Sequence, residues 1–587
     1  MMAMTKQYAI SFLFVLVACT AMAQSVQPGI NEYAIRGYCQ EDLSDILRLF
    51  PGMYPQDLGT LGAPLYFSPW GLWPGQMRYT LDGLPLERRY DGLWDPGLLP
   101  VSEIDSITFH PLPIGGLFPG AGGRVDITTR DMPVDSPYSE IRLREGFYDY
   151  GTVDFAHAQP IHKSLTFQST GRLGWYTGMR ERTGSRFTHL RTKLKLRSFP
   201  NWRLEGVYSR TKSHSDSELN QAGQTLSRTE GQLALLPGDS LSLAFRPQLR
   251  LFLREDKEGW GDAWRARELC GGALLSATLL LPRQRLEGTA LAHLSSLQFP
   301  TQEKTAGQTV ELSVADSIDI VGALGIESGA GLRLERDWEE PAYRFGARAI
   351  LPIKKVCILF CGFQSVESFP DPLWLNGGYV LSERPLLLSS SLSNLGDSLI
   401  GCPREKERAS QIEAGLSIDR ARAQVRITAV RIAIENQFSP WTSTSSPSPS
   451  TDSRWGGAFE GRLLVRRDMT LETRWSLLWA TENPLANADE MRGFSRLYFE
   501  RTFFRAPLYV RASVMHTYLG ERTAFSHWGT RVLDPTHLVG FRISARIKGF
   551  ELFWGTENIG ARHYEYVPGF LMIRKEEYWG VNWAFWF

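Results

Sequence analysis

Apolar and polar residues alternate along most of the chain from about residue 139 onward. In the segment 241–254 one set of alternate positions is apolar and the other polar: Leu241, Leu243, Phe245, Leu249, Leu251 and Leu253 against Ser242, Arg246, Gln248, Arg250 and Arg254. A period of two residues is that of a β-strand with two different faces. The pattern recurs at 189–197 and 541–548, and it predicts many long strands of this kind.

The length of these runs separates two kinds of all-β protein. Strands of a soluble sandwich or propeller are usually about five or six residues long. Here the runs last roughly 10 to 14 residues, which is the length that a tilted strand needs to cross an outer membrane. Aromatic residues also collect near the run ends, as in an interfacial girdle: Trp175, Tyr176, Trp202, Trp475, Trp479, Trp554 and Trp579. These features favour a membrane barrel over an extracellular sandwich.

Connections between the runs alternate in length. Tight turns are predicted at Asp419-Arg420, Arg467-Asp468 and Lys548-Gly549, and long polar connections at 211–227 and 437–453. Short turns at one end and longer loops at the other are typical of outer-membrane barrels.

The last ten residues carry the clearest membrane-barrel pattern. One face of this final strand bears only apolar and aromatic residues: Trp579, Val581, Trp583, Phe585 and Phe587. A strand that ends the chain on an aromatic residue resembles the assembly signal of bacterial outer-membrane barrels. The resemblance implies that the barrel assembly machinery is a partner.

The predicted barrel, residues 133–587, is long enough for about 22 strands at roughly 20 residues per strand and connection. The lumen of so large a barrel is too wide for wall side chains to fill, and such barrels are normally plugged. We therefore predict an all-β transmembrane barrel, antiparallel, of about 22 strands, with a small N-terminal α+β plug domain in the lumen.

The first 23 residues predict export. Lys6 precedes an apolar run from Ala9 to Ala18, and Ala21-Met22-Ala23 offers the small residues of a cleavage site. An alternative is a lipobox ending at Cys19, which would leave that cysteine lipidated. No later stretch reaches the 18 apolar residues of a spanning helix. We expect a signal peptide at 1–23 and the outer membrane of a Gram-negative-type bacterium as the location.

Residues 24–132 lack the long alternation and predict the plug. Asp42 is a suitable N-cap for a helix that places Leu43, Ile46, Leu47 and Phe50 on one face. Pro51-Gly52 ends the helix, Asp82-Gly83 is the pair favoured in a two-residue hairpin turn, and Gly122-Gly123 precedes a short strand.

The order of these motifs resembles the plug of TonB-dependent outer-membrane receptors. That family has Leu-Pro-Gly after a helix, Val-Asp-Gly-Val-Pro, a strand leading to a Gly-Pro turn, and Gly-Gly-Val-Ile-Asn-Ile-Thr. The matching segments here are 50–52, 81–85, 108–111 and 122–128, with further barrel landmarks at 413–416 and 556–564. The resemblance implies uptake of a scarce solute through a plugged barrel, driven by a TonB-type energy-coupling protein.

Three departures from the family pattern bear on mechanism. The nearest candidate for a coupling segment, Glu32-Tyr33-Ala34-Ile35, matches the family's hydrophobic box poorly. His110-Pro111 stands where the family often has Arg-Gly-Pro, and Arg124 interrupts the apolar run after the paired glycines. Two functions therefore stay open: an energy-coupled receptor, or an uncoupled plug-bearing barrel that acts as a passive porin or a structural or docking protein.

Composition narrows the remaining choices. The 64 basic and 63 acidic residues nearly cancel, which argues against a nucleic-acid partner. The sequence has no enzyme or metal-site motif, so we predict no catalytic residue, cofactor or metal. Five scattered cysteines follow the signal and predict no disulfide framework. Of the 64 basic residues, 52 are Arg, and many of them lie on the polar face of the predicted strands. These arginines either form structural ladders across the lumen or line a path for an anion. Lipid and an unidentified solute are the remaining partners.

Overall fold

The computed structural model describes residues 29–586 except the following: 32–34, 36–41, 58, 60–63, 89–91, 133–135, 179–182, 200, 217–222, 239–243, 261–263, 299–304, 321–323, 337–339, 354–356, 370–405, 438–449, 481–487, 505–507, 527–528 and 574. The signal peptide, Glu32 to Ala34 and Phe587 therefore lie outside the described residues.

A small mixed sheet comes first in the chain. Its strands pair in the order β1-β6-β7-β4-β5, and β4 and β7 are parallel. The bounds are Gly29–Asn31 (β1), Arg78–Leu81 (β4), Leu84–Pro85 (β5), Ile104–His110 (β6) and Arg124–Thr129 (β7), with a separate hairpin of Met53–Gln56 (β2) and Tyr66–Pro69 (β3). One helix, Leu43–Leu47 (α1), and 3-10 turns at Pro74–Gln76, Pro96–Leu98 and Val101–Glu103 complete this region.

The helix forms as the sequence predicts. Asp42 is its N-cap, and its carboxylate accepts a hydrogen bond from the backbone N–H of Ser44 at 2.9 Å. Leu43, Ile46 and Leu47 are fully buried, together with apolar residues of the sheet. The helix face and the strands thus form one hydrophobic core.

The second part is a closed antiparallel barrel of 22 strands, which confirms the predicted fold class. The wall strands are Tyr138–Gly146 (β8), Gly151–His162 (β9), Leu165–Tyr176 (β10), Ser185–Phe199 (β11), Trp202–Ser215 (β12), Gln224–Pro237 (β13), Phe245–Trp260 (β14), Trp264–Leu281 (β15), Gln284–Gln298 (β16), Thr305–Ile320 (β17), Leu324–Glu335 (β18), Ala342–Ile353 (β19), Cys357–Ser368 (β20), Glu407–Arg420 (β21), Ala423–Gln437 (β22), Ser450–Arg466 (β23), Met469–Ala480 (β24), Met491–Phe503 (β25), Leu508–Leu519 (β26), Thr536–Ile547 (β29), Phe550–Glu557 (β30) and Glu576–Trp586 (β31). A hairpin of Arg522–Ser526 (β27) and Gly529–Leu533 (β28) lies outside the ring, and β31 pairs with β8 to close it.

The alternation has the physical origin expected for a barrel in lipid. In β14, Phe245, Leu251 and Leu253 expose 51%, 43% and 58% of their surface, whereas Arg254 exposes 4%. Apolar side chains therefore point outward and polar side chains face the lumen. Among the described residues, no helix is long and apolar enough to span a bilayer.

The connections differ at the two ends of the barrel. Turns at 467–468 and 548–549 lie where the sequence predicts them. The turn predicted at Asp419-Arg420 is wrong by two residues, because β21 continues to Arg420 and the turn lies at 421–422. We call this the tight-turn end. At the other end, which we call the long-connection end, β20 ends at Ser368 and β21 begins at Glu407. The described part of the last loop, residues 558–573 and 575, follows β30 at this end.

Candidate functional site: the interface between plug and wall

The plug sheet lies inside the lumen, because its residues contact inward-facing side chains of strands around the ring. Contacts reach β8, β11, β14, β17, β19, β21, β23 and β24 through the pairs Arg130–Glu140, Asp82–Arg191, Arg88–Glu258, Phe118–Glu311, Leu112–Arg348, Gln76–Glu407, Trp70–Arg454 and Leu49–Arg474. The interface between plug and wall is therefore the place where any solute path must open.

Asp82 and Gly83 form the tight turn between β4 and β5. Their φ angles are +51° and +86°, which a two-residue hairpin of this type requires. The Asp82 carboxylate accepts hydrogen bonds from the N–H and hydroxyl of Thr129, at 2.9 and 2.8 Å. It also contacts Nη2 of Arg191 at 3.2 Å. The turn predicted from sequence thus links the plug to the wall, a role that the sequence did not suggest.

Four inward-facing bases of β11 hold this part of the plug, and we call them the basic ladder. They are His189, Arg191, Lys193 and Lys195, and they contact Glu103, Asp82 with Glu103, Thr129 and Asp131 respectively. All four are buried. The alternation of these bases with apolar residues is visible in the sequence, but their plug partners are 64 or more positions away in the chain.

Glu103 is the most enclosed carboxylate of this contact. Its oxygens lie 2.6 Å from Nε2 of His189 and 3.2 Å from Nε of Arg191. Burial alone would raise the pKa of Glu103, but His189 and Arg191 hold it below the ordinary value. The pKa of Asp82 is likewise lowered, against its burial, by Lys193 and Arg191. Both carboxylates are therefore charged at neutral pH, and each is neutralised by the wall.

Two of the three departures from the family pattern, His110 and Arg124, meet at one residue, Asp126. Arg124 donates two hydrogen bonds to its carboxylate, at 2.8 and 2.9 Å, and Nε2 of His110 lies 3.0 Å away. Arg124 also donates to the carbonyls of Gly115 and Leu117. Burial raises the pKa of Asp126, yet Arg124 and His110 lower it far more. The unusual residues thus compensate one another within the plug.

The predicted plug glycines lie at places where a side chain would not fit. Gly52 has φ +78°, and a Cβ there would lie 2.6 Å from the ring of Trp70. A Cβ at Gly122 would lie 2.1 Å from Cγ of Pro69, and Gly123 has φ +101°. Pro51-Gly52 follows α1, and Gly122-Gly123 precedes β7. These residues shape the plug backbone, and their role in uptake stays a prediction.

Arginines of the wall hold plug turns by their carbonyl oxygens. Arg344 donates to Gly116 at 2.6 Å and Arg254 to Pro85 at 2.8 Å, while Arg228 donates to Leu86 at 2.8 Å. Bidentate guanidinium groups suit this task because they offer several fixed donors. Of the two roles that the sequence allowed for lumen arginines, these contacts favour the structural one.

A cavity of about 110 Å³ lies between plug and wall, and we call it the upper cavity. Plug residues that line it include Trp73, Gln76, Arg78, Glu87 and Arg88; wall residues include Arg254, Glu268, His293, Arg333 and Glu407. Glu407 accepts a hydrogen bond from Gln76 at 2.5 Å and is the first residue of β21, so the cavity lies toward the long-connection end. Burial raises the pKa of Glu87. The lining is polar, with four arginines against three glutamates.

Of the candidate coupling segment Glu32–Ile35, the structure describes only Ile35. Ile35 is 1% exposed and packs in the plug core, whereas Glu32, Tyr33 and Ala34 lie outside the described residues. Just before them, β1 pairs with β6 along Gly29–Asn31.

The predicted assembly signal forms the closing strand β31. Trp579 and Trp583 expose 53% and 55% of their surface on the outer face, and the ring of Trp583 packs on Phe585 and Phe550. Val581 and Phe585 lie at the same alternate positions of β31 as these two tryptophans. Phe587 lies outside the described residues. Recognition by the assembly machinery stays a prediction.

Solved structures of known transporters share this architecture. The copper transporter OprC superposes with a TM-score of 0.80 at 10% identity, covering 96% of this chain and 100% of that one. The siderophore receptor PirA of Pseudomonas aeruginosa gives 0.73 at 14% identity, with the same coverages. The unliganded ferric citrate transporter FecA gives 0.75 at 12% identity, covering 95% and 97%.

The chain has the fold of the TonB-dependent receptors. The match confirms the resemblance seen in the plug motifs, at the level of fold. No protein-family model and no curated protein matches the sequence. Among the described residues, no group of three His, Cys, Asp or Glu side chains could hold a metal ion.

Proposed function

We propose that this TonB-dependent-receptor-like barrel is an outer-membrane receptor that takes up a scarce solute by displacing its plug. The observation that carries the proposal is the ring of hydrogen bonds and ion pairs between plug and wall. A barrel whose lumen is filled and tied in this way needs a plug movement before a solute can pass. That requirement favours an energy-coupled receptor over a passive porin.

The upper cavity is the proposed first site for the solute. It faces the long-connection end, which in this kind of barrel is the outer side of the membrane. Arg78, Arg88, Arg254 and Arg333 place guanidinium donors along its lining, and each also pairs with a wall carboxylate. These fixed donors suit oxygen acceptors, so we propose an anionic solute. The structural neighbours bear the names of a siderophore receptor, a ferric citrate transporter and a copper transporter, so the fold alone does not select the solute.

The proposed contact with the energy-coupling protein is at residues 24–35. These residues precede α1, and Ile35 is buried in the plug core, so a partner that binds it must first pull it out. Such a pull would act on the plug sheet through the neighbouring strand β1, which pairs with β6. The coupling segment Glu32–Ile35 would thus transmit the pull to the plug sheet, which has to move for uptake.

Photocrosslinking in living cells tests this contact. A crosslinking amino acid replaces Tyr33, and the matched control replaces Lys548, in a turn at the tight-turn end. We expect a crosslink to the energy-coupling protein from position 33 that disappears when the gene for that protein is deleted. No crosslink from any position between 24 and 35 would contradict energy coupling.

The uncoupled barrel is the second candidate, and the poor match of Glu32–Ile35 to a coupling box favours it. Labelled ferric citrate and copper ions, as probes, separate the two functions in cells that express the protein. Uptake that stops when the proton gradient is collapsed supports the receptor, whereas uptake that continues supports the uncoupled barrel.

The processing of the chain stays a prediction: a signal peptide at 1–23, a plug at 24–132 and a barrel at 133–587. Mass spectrometry of the mature N-terminus tests it. A chain that begins at Gln24 supports cleavage after Ala23, and a lipid-modified Cys19 supports the alternative.

A further inference from the structure

A second cavity, of about 120 Å³, lies between α1 and the wall, and we call it the α1 cavity. It shares no lining residue with the upper cavity, although it also lies toward the long-connection end. Its lining comes from the end of α1, from β24, β25, β26, β29 and β30, and from the last loop, and it includes Asp45, Arg48, Arg474, Arg492, Glu557 and Tyr566.

The last loop folds inward and packs on the plug beside this cavity. Tyr566 and Met572 are buried, and they form an apolar cluster with Leu519 of the wall. The Leu571 carbonyl comes so close to Gly59 that a Cβ there would lie 2.4 Å from its oxygen. The cavity is therefore lined by plug, wall and loop together.

Three guanidinium groups surround the ring of Tyr566. Arg48 of the plug, Arg492 of β25 and Arg522 of β27 each lie 5.7 Å from its centroid. Such contacts stabilise a cation, but they do not replace hydrogen-bond acceptors. Each arginine still needs oxygen atoms for its donors.

Two of these arginines have a close carboxylate, and the third does not. Arg48 pairs with Asp57, and Arg522 contacts Asp489 at 2.7 Å. Arg492 reaches the same Asp489 only at 3.9 Å. It is 7% exposed, and its Nη1 has no hydrogen-bond acceptor among the described residues. A buried guanidinium with unmade donors is costly, so this position favours an added acceptor.

The donors of the lining suit an anionic occupant. Arg48, Arg474 and Arg492 line the cavity beside Asp45 and Glu557. Because Asp57 and Asp489 also lie close to Arg48 and Arg492, the guanidinium donors favour an anion here, and not an excess of charge. Arg474 donates to the Leu49 carbonyl at 3.2 Å and lies over the ring of Phe50, so it is held in place beside the cavity. The volume, about 120 Å³, leaves room for a small oxyanion.

We propose that the α1 cavity binds a small oxyanion, a carboxylate or phosphate group, whose oxygens accept hydrogen bonds from Arg492. The bound anion reduces the repulsion among the arginines around Tyr566 and thereby strengthens the contact between α1, the wall and the last loop. Its binding stabilises the closed position of the plug, as any ligand does that prefers one state. The site shares no lining residue with the upper cavity, where we propose that the solute binds first.

Titration of the full-length protein in detergent tests the site. Sodium phosphate and sodium acetate are added separately at constant ionic strength, with heat as the readout in isothermal calorimetry. We expect saturable binding of at least one of the two at a single site, and binding weakened about tenfold or more in Arg492→Gln. Phosphate alone would indicate a phosphate site, and acetate alone a carboxylate site.

The matched control is Arg267→Gln, whose side chain is 56% exposed on the wall and pairs with Glu255. We expect it to bind like the wild type. Hydrogen exchange supplies a second readout: the anion should slow exchange at 43–51 and 564–573 in the wild type and not in Arg492→Gln. Unchanged heat-modifiable gel migration shows that both variants fold.

Anion concentrations up to about 10 mM detect binding with a Kd near the millimolar level. The absence of saturable binding of either anion in this range would overturn the proposal. Equal binding by the wild type and Arg492→Gln would overturn it as well, because the anion would then lie elsewhere.

Discussion

Replacement of Glu103 by Gln removes the carboxylate that joins the plug to two members of the basic ladder. In the wild type this group lies 2.6 Å from His189 and 3.2 Å from Arg191, and it is 2% exposed. The amide keeps the shape of the side chain but not the charge. Among the described residues, Asp82 at 3.2 Å then remains as the close carboxylate of Arg191.

The free-energy cost of this substitution for the closed plug follows from these contacts. Breaking a buried ion pair by removing one partner costs about 3–5 kcal/mol, because the other charge stays buried. Since Asp82 still neutralises Arg191 in part, we expect the lower end, about 3 kcal/mol. At 1.4 kcal/mol for each factor of ten, the displaced plug becomes about a hundredfold more populated.

Hydrogen exchange on the full-length protein in detergent at pH 7 measures this population. Backbone amides of β4 and β7 should exchange up to about a hundredfold faster in Glu103→Gln. The matched control is Glu255→Gln, because Glu255 also contacts two bases, Lys257 at 2.8 Å and Arg267 at 2.6 Å, but both are more than half exposed. An exposed pair contributes about 0–1 kcal/mol, so the control should resemble the wild type.

Two results would refute this reasoning. If exchange in β4 and β7 is the same in Glu103→Gln and the wild type, the basic ladder does not hold the plug. If the control accelerates exchange as much as Glu103→Gln does, loss of any wall carboxylate loosens the protein, and the contact with Glu103 has no special role.

Three further predictions concern the plug and the closing strand. Burial raises the pKa of Asp95 from 3.8 to about 7, so the folded plug holds an extra proton between these values. Plug stability should therefore fall as the pH rises from about 4 to 7, by about 1.4 kcal/mol per unit, and Asp95→Asn should abolish this slope in exchange measurements. Gly123→Ala should destabilise the plug by about 1–3 kcal/mol, because φ is +101° there, and faster exchange at β7 measures it; an unchanged rate contradicts it. Trp583→Ala should lower the fraction of chain that shows heat-modifiable migration, whereas the inward-facing Asn582→Ala should not, and equal fractions contradict a role in assembly.

The wall was predictable from the sequence because each strand meets the same two environments along its whole length. Lipid outside and a polar lumen inside impose a period of two, so Leu249, Leu251 and Leu253 already indicate the outer face. The length of the alternating region then gives the number of strands. The helix was predictable for a similar reason, since Asp42 and the spacing of Leu43, Ile46 and Leu47 are local features.

The contacts between plug and wall were not predictable. Asp82 and Arg191 are 109 positions apart, and their meeting depends on how the sheet is rotated within the barrel. The sequence shows the basic ladder as alternating bases but carries no local sign of Glu103 or Asp82 as partners. The inward fold of the last loop onto Gly59 is equally non-local.

The departures of His110 and Arg124 from the family pattern could not be explained from the sequence either. Each differs from the family's residue when the motif is compared position by position. Both contact Asp126, which itself stands at the motif's Asn position, so the changes form one compensated group. A comparison along the chain alone does not reveal such a group.

The central claim is that the plug closes this barrel until it is displaced. Conductance of the purified full-length protein in planar bilayers tests it directly, beside a variant that lacks residues 24–132. The account predicts that the full-length protein is silent and that the shortened variant conducts steadily. Steady conductance of the full-length protein would contradict the account and identify a passive porin.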